Sequence, residues 1–336
     1  MEHIGFPLET VVIFVVTVAF SIYVDLVLHR NAHEISVRDA GIWSLFWIAL
    51  SLGFYGYLNF RYDSHVASLF LSGYVLEKSL SVDNLMVFIA IFGFYKIAGP
   101  LQHRILYYGI MGAIAFRLIF VALGGVILKL GPWADLVFAV LVTWAAIKML
   151  RGGDEEAVDW ESDRVVRWAR SVFPVVGQLQ GKRFFVSHSE AELQSKANGV
   201  PMPAKSAARY ATPAFVVLCL IEGSDVMFSM DSVPAVIAVT REPLLIYAAM
   251  IFAILGLRSL YFILAALSKY LVHLSKAVVA LLFFISAKLV LHATHEFHLH
   301  EFDISPNQNL MIIGAVLGIG VLASVVFPEK EAEPVM

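Results

Sequence analysis

Nine long apolar segments divide the sequence, and they constrain the fold more than any other feature. Most are apolar on all sides and long enough to cross a bilayer as an α-helix, whereas a membrane β-strand would alternate apolar and polar residues. The chain is 15% charged, against about 25% in soluble domains. We therefore predict an all-α polytopic membrane protein with about nine transmembrane helices. They are expected at about 8–28, 41–60, 66–94, 104–128, 132–150, 211–240, 244–267, 274–291 and 308–327.

Composition excludes several other classes of protein. Cys219 is the only cysteine, which excludes a disulfide scaffold, and a net charge of −3 gives no indication of a nucleic-acid partner. No Gly-rich phosphate loop and no nucleophile–base pair occurs, so we expect neither an enzyme nor an organic cofactor. The first apolar segment lacks a basic region before it and a small-residue cleavage site after it, and is expected to be a retained span.

The distribution of Lys and Arg predicts the orientation in the membrane. With the N-terminus outside, 16 basic residues fall in inside segments and 3 in outside segments. Without the long loop at 151–210, which holds nine of them, the ratio is still 7 to 3. Because basic residues favour the cytoplasmic side, we expect an outside N-terminus and a cytoplasmic C-terminus, as in a bacterial inner membrane.

Charged residues recur at nearly constant offsets within the spans, which indicates an internal repeat. The offset is 148 residues for both acidic pairs, 141 for the arginines and 140 for the lysines. The pairs are Glu77 with Asp225, Asp83 with Asp231, Arg117 with Arg258, and Lys148 with Lys288. Since each copy has three spans, the second must cross the bilayer in the opposite direction, as in many secondary transporters. A generic duplicated bundle is the alternative.

The repeat divides the chain into five parts. They are two N-terminal helices (1–65), the first three-helix repeat (66–150), a cytoplasmic loop (151–210), the inverted second repeat (211–291), and a His-rich outer loop with the last span and the tail (292–336).

Five acidic residues lie toward the middle of predicted spans: Glu77, Asp83, Glu222, Asp225 and Asp231. Ionised side chains there cost at least about 2.5–3.5 kcal/mol each, so they should face a partner, a cavity or an ion. Clustered carboxylates repel one another unless a cation or a proton joins them. Together with nearby amide and hydroxyl groups they are hard oxygen donors suited to Mg²⁺, Ca²⁺ or Mn²⁺. The alternative is structural ion pairing with the intramembrane bases Lys78, Arg117, Lys148, Arg258 and Lys288.

Helical geometry separates the acids into two groups. Glu77, Ser81 and Asn84 share one face, and so do Glu222, Asp225 and Ser229. Asp83 and Asp231 point elsewhere on straight helices, so pairing of Asp83 with Arg117 and of Asp231 with Arg258 is an alternative to metal binding. Pro234 removes a backbone donor, and a helix broken there would free carbonyl oxygens for a cation.

The two hydrophilic regions carry weaker signals. In the loop at 151–210, Val165, Trp168 and Val172 share a helical face opposite much of the basic charge, as at a membrane surface, and the loop is a candidate partner-binding segment or a plain linker. The outer loop contains candidate metal-collecting histidines, although solvated histidines are the simpler interpretation. These are His292, His295, His298 and His300. The metalloprotease pattern is excluded because position 299 is leucine.

The strings EKSLSVDN (77–84) and EGSDVMFSMDSVPAVIAVT (222–240) resemble the TerC/Alx family of integral membrane proteins, most closely its Alx-like branch. AFRLIF (115–120) and FAILGLRSLYF (252–262) extend the resemblance over nearly the whole chain. It implies a divalent-metal role, chiefly Mn²⁺ efflux, beside an association with tellurite resistance. The matching motif residues are Glu77, Asp83, Asn84, Glu222, Asp225, Asp231 and Ser232.

The main hypothesis is therefore an Mn²⁺ exporter working by alternating access, with proton exchange as a candidate drive. A membrane scaffold of a metal, tellurite or envelope stress-response complex is the competing hypothesis, with the same charges as salt bridges and the long loop as docking surface. An intramembrane metalloenzyme using the histidines is a third. The expected partners are divalent metal ions and the lipid bilayer.

Overall fold

A computed structural model of the chain describes residues 5–28, 36–151, 163–177, 181, 183–198, 202, 207–267, 273–299 and 304–326. Within these ranges the chain is almost entirely helical, since a backbone in lipid must satisfy its own hydrogen bonds. The longer helices are α1 (Leu8–Leu28), α2 (Val37–Arg61), α3 (Ser64–Phe94), α4 (Pro100–Ile127), α5 (Pro132–Arg151), α8 (Pro213–Val239), α9 (Pro243–Ile254), α10 (Leu257–Leu267), α11 (Leu274–Glu296) and α12 (Pro306–Val326).

Helix starts are encoded locally. Asp63 accepts a hydrogen bond from the Val66 amide at 2.8 Å before α3, and Ser36 accepts one from the Asp39 amide before α2. Helices α4, α8 and α9 begin with proline, whose missing N–H has no partner at a helix start in any case.

The number of spans that the structure supports is smaller than nine. In the described part of the chain, six helices are long and apolar enough to cross a membrane, and a bent pair (α9 with α10) raises this to seven. Each of the nine predicted segments coincides with helix. The two long helices outside these spans are α1, whose described side chains cover Leu8–Val24, and α3, which carries Glu77, Lys78 and Asp83. The structure therefore establishes an integral membrane helical protein; nine spans and their inverted relation remain predictions.

The predicted break at Pro234 is wrong. Helix α8 continues through Pro234 to Val239. The break falls one span later, where the chain bends by 47° between α9 and α10, at Leu255 and Gly256. Gly256 has a φ of +78°, a backbone conformation that L side chains rarely adopt, and the buried Trp47 ring lies against it.

Helices α3 and α8 occupy the centre of the bundle. α3 packs against α8 and α9, α4 packs along α8, and α5 packs along α11. Small residues allow the close approach of α4 and α8, as expected where lipid provides no hydrophobic drive for helix association. This packing brings the two acidic helices and the arginine of α4 to one place.

The loop at 151–210 contains α6 (Arg164–Val172), α7 (His188–Asn198) and a two-stranded antiparallel sheet of β1 (Phe185–Ser187) and β2 (Arg209–Ala211). Val166 and Ala169 form the buried face of α6 against the bundle, and Val165 contacts Gly223 of α8. The prediction that Val165, Trp168 and Val172 share one outward face is thus only partly correct. Trp168 and Val172 are exposed, but Val165 packs on the protein.

Candidate metal centre

One face of α3 turns its polar groups into the bundle. Glu77 and Ser81 are fully buried and Asn84 nearly so, although all three lie on an otherwise apolar helix. The four- and three-residue spacing places them on one stripe, as the sequence predicts.

A matching polar face lies on α8. Asp225, Ser229 and Ser232 are buried, and Glu222 is half-buried one turn before Asp225. The predicted grouping of Glu222, Asp225 and Ser229 agrees with this arrangement, and Ser232 continues the same buried stripe.

Arg117 of α4 joins these two faces. Its guanidinium forms a salt bridge through Nη1 with Oε1 of Glu77 and lies 3.5 Å through Nη2 from Oδ1 of Asp225. All three side chains are at most 4% exposed. The predicted pairing of Arg117 with Asp83 is therefore wrong: the arginine reaches the two symmetry-related acids of the proposed repeat instead.

The second oxygens of these carboxylates have no hydrogen-bond partner within the described ranges, and neither do several polar atoms beside them. Buried polar groups are nearly always hydrogen-bonded, so a group of exceptions in one place needs an explanation. The atoms are Glu77 Oε2, Asp225 Oδ2, Glu222 Oε2, Ser81 Oγ, Asn84 Nδ2, Ser229 Oγ and Ser232 Oγ. These seven atoms belong to α3 or α8, and Nε of Arg117 on α4 likewise has no partner within the described ranges.

The acids are not gathered into a ready-made metal cage. Among the residues that the structure describes, no three His, Cys, Asp or Glu side chains lie close enough together to hold a metal ion. A guanidinium is instead shared by Glu77 and Asp225. The donor chemistry fits a hard divalent cation, and such an ion would compete with the guanidinium for both carboxylates.

A glycine makes room for the third acid. A methyl group at Gly112 of α4 would overlap the carboxylate of Glu222. Glu222 thus depends on the missing side chain of Gly112 for its position beside Asp225.

Asp83 and Asp231 lie away from the Arg117 pair. Asp83 accepts a hydrogen bond of 2.7 Å from Ser275 of α11, while its other oxygen is buried without a partner in the described chain. Asp231 is half-buried. The two acids therefore belong to the edge of the candidate site in this structure.

The remaining intramembrane bases have different environments. Lys78 donates to two backbone carbonyls and pairs with no acid of the described segments, so it is not the ion-pair partner that the sequence allows. Lys148 is exposed, with its ammonium over the Trp144 ring at 5.3 Å. Arg258 and Lys288 are buried.

The histidines fall into two groups. α11 extends to Glu296, so His292 and His295 are helical and do not belong to a loop, whereas His298 is exposed beyond the helix. His300 lies outside the described residues.

Sequence reasoning missed Asp135. This buried acid at the start of α5 forms a salt bridge with Arg241 and lies 3.2 Å from Nδ1 of His292. The available signal was an acid in the first turn of an apolar segment, with an arginine just beyond another span.

Comparisons with known proteins agree with the resemblance. The sequence model described as Integral membrane protein TerC family matches residues 62–332. The tellurium resistance protein TerC of Serratia marcescens is 48% identical over 98% of this chain and 96% of its own length. TerC of an Alcaligenes species is 48% identical over 98% of both chains. Alx of Escherichia coli K12, whose proposed role is membrane-bound redox modulation, is 34% identical over 83% of this chain and 84% of its own. No solved structure matches significantly.

Proposed function

The chain belongs to the TerC family of integral membrane proteins, and we propose that it is a secondary transporter that exports Mn²⁺ from the cytoplasm by alternating access. The tellurium resistance named for two of its relatives would then be an indirect effect of metal handling, because buried carboxylates repel the oxyanions that tellurium forms.

The observation that carries this proposal is the convergence of two acids on one arginine. Glu77 comes from α3 and Asp225 from α8, yet both contact the guanidinium of Arg117. Each keeps one buried oxygen without a partner in the described part of the chain. Two carboxylates that already share one positive charge would be open to a second cation if the guanidinium moved away.

In the proposed cycle a divalent cation replaces the guanidinium of Arg117 between the two carboxylates. In this structure the guanidinium of Arg117 lies between Glu77 and Asp225 and offsets part of their negative charge. A divalent cation entering between them would repel the guanidinium and take its place, with Glu222 as the third carboxylate. Asn84 and Ser232 would add oxygen ligands, and Asp83 and Asp231 would join as the helices move. All are hard donors of the kind that Mn²⁺, Mg²⁺ and Ca²⁺ accept.

Helix packing supports an inverted repeat as the moving part. In the proposed repeat α8 corresponds to α3, α9 with α10 to α4, and α11 to α5. α4 packs along α8, and its counterpart pair, α3 with α9, is also in contact, while α5 and α11 pair with each other. Exchanging the two repeats therefore maps these contacts onto one another, as expected for a rocking mechanism.

Proton exchange is the proposed drive. A carboxylate cannot hold a proton and a metal ion at once, so protonation from the outer side would release Mn²⁺. The basic residues favour an inner membrane with an outside N-terminus and a cytoplasmic C-terminus, and the outward direction of transport is part of the proposal.

Two isosteric variants test the ligand assignment. Glu77→Gln and Asp225→Asn should reach the membrane at wild-type levels and lose the tolerance of cells to added Mn²⁺. The matched control is Asp39→Asn, which alters an exposed acid at the start of α2. Normal Mn²⁺ tolerance in both site variants would refute the assignment.

A membrane scaffold is the second candidate, and the absence of a three-residue metal cluster among the described side chains favours it. Its charges would be structural, and its docking surface would be the small unit of α7, β1 and β2. Leu193 of α7 is 69% exposed, so Leu193→Glu should abolish the stress phenotype of a scaffold and leave an exporter active. This variant spares the contacts that join the loop to α8.

A further inference from the structure

The ammonium of Lys78 lies at the broken span of the second repeat. It donates hydrogen bonds to the carbonyl oxygens of Ala253 at 3.0 Å and Leu255 at 3.3 Å. These carbonyls belong to the end of α9 and to the residue that follows it. The contact joins α3, immediately beside Glu77, to the point where the α9–α10 span bends.

The break itself makes these oxygens available. The last four carbonyls of a helix lack intrahelical donors, and the amide of Leu255 makes the closing bond of α9 to Ile251. Gly256 then turns the chain, with Trp47 packed against it. Carbonyl oxygens at a helix C-terminus carry partial negative charge and favour a cation.

Carbonyl dipoles supply the environment of this ammonium. Both hydrogen bonds join Lys78 Nζ to main-chain oxygens, and no carboxylate within the described ranges lies at ion-pair distance from it. The neighbouring acid, Glu77, is bound to Arg117 instead. Unwound carbonyls at the end of a half-helix are the ligands that secondary transporters offer to Na⁺.

We propose that the carbonyl oxygens of Ala253 and Leu255 form a site for a monovalent cation, and that the ammonium of Lys78 occupies it as a tethered substitute. The protein then needs no free alkali cation to hold the broken span together. If the proposed function is correct, neither Na⁺ nor K⁺ binds at this position during the transport cycle.

Removing the ammonium should expose the site to free ions. Lys78→Met keeps most of the side-chain length and removes the charge. The purified full chain in detergent is heated in NaCl, KCl or choline chloride at equal ionic strength. We expect NaCl or KCl to raise the Tm of the variant by about 3 °C or more above its value in choline chloride, by mass action on the folded state. The wild type and Lys129→Met, which changes an exposed lysine, should show no such difference.

A second variant covers the case in which Lys78→Met does not fold. Lys78→Gln keeps an amide donor for one carbonyl and frees the other. Purification of either variant only in NaCl or KCl supports the proposal. Equal Tm values in all three salts for the variants that fold, or failure of both to fold in every salt, overturns it. Stability is measured without transport, so this result is distinguishable from failure of the proposed export.

Discussion

Arg117 on α4 forms a salt bridge with Glu77 on α3 and reaches Asp225 on α8 with its other terminal nitrogen. One guanidinium thus connects three helices at the centre of the bundle. The two acids occupy equivalent positions in the proposed repeat, 148 residues apart. The contact stabilises this form of the protein and occupies the carboxylates that the proposed ion requires.

Removing this guanidinium should destabilise the protein strongly. Arg117→Gln leaves two buried carboxylates without a counter-charge, and breaking a buried pair in this way costs roughly 3–5 kcal/mol. Thermal unfolding in detergent measures the loss. The control Arg151→Gln changes an exposed arginine and should leave the Tm unchanged. An unchanged Tm for Arg117→Gln would show that the carboxylates are neutralised in another way.

A methyl group at Gly112 should displace Glu222. We expect Gly112→Ala to reach the membrane and to reduce Mn²⁺ export, because the added carbon overlaps the carboxylate. Gly125→Ala is the matched control, because Gly125 lies on the same helix and a Cβ there would meet no atom within 4 Å. Export is measured from cells loaded with Mn²⁺. Equal export by both variants would remove Glu222 from the site.

The break between α9 and α10 should depend on Gly256. Gly256→Ala forces a side chain into a left-handed conformation and against Trp47, which costs about 1 kcal/mol or more. Gly53→Ala, in open space within α2, is expected to be neutral or slightly stabilising. A lower Tm for the first variant alone is the predicted result, and equal Tm values would show that the bend does not need glycine.

The start of α7 should depend on pH. Ser187 and Glu190 form a capping box, in which the Ser187 amide donates to the Glu190 carboxylate at 3.1 Å. This backbone hydrogen bond, with smaller contributions from Arg183 and the Ser187 hydroxyl, lowers the pKa of Glu190. Because the folded pKa lies below the ordinary value of 4.5, the stabilisation is complete above that value and is lost as the pH falls through the folded pKa.

Hydrogen exchange at the Ser187 amide measures this effect. At neutral pH, Glu190→Gln should exchange faster than the wild type, and the difference should disappear in acid once the wild-type carboxylate is protonated. Glu192→Gln, which removes an exposed pair with Lys196, is the control. A difference that persists in acid would contradict the pKa shift.

Local sequence patterns predict much of the fold and the polar faces of α3 and α8 that form the site. Uninterrupted apolar segments place the helices to within a few residues, because a backbone in lipid has few alternatives. Helical periodicity also groups Glu77 with Ser81 and Asn84 correctly. These features depend only on neighbours along the chain.

Features that depend on tertiary contacts could not be predicted in this way. Arg117 reaches Glu77 because of where α4 packs, which charge counting does not determine. Pro234 remains helical inside a tightly packed bundle. The break occurs instead at Gly256, against which the Trp47 side chain packs. Asp135 belongs to the same class, since its partners Arg241 and His292 come from distant segments.

Metal flux into proteoliposomes tests the central claim most directly. The purified protein is reconstituted, and uptake of Mn²⁺, Ca²⁺ and Mg²⁺ is compared with and without a pH gradient for the wild type, Glu77→Gln and Asp225→Asn. We predict Mn²⁺ uptake by the wild type that increases when the gradient favours proton exchange, and uptake at the level of empty liposomes for both variants. Wild-type vesicles that carry none of the three ions, or variants that carry Mn²⁺ as well as the wild type does, would contradict the account.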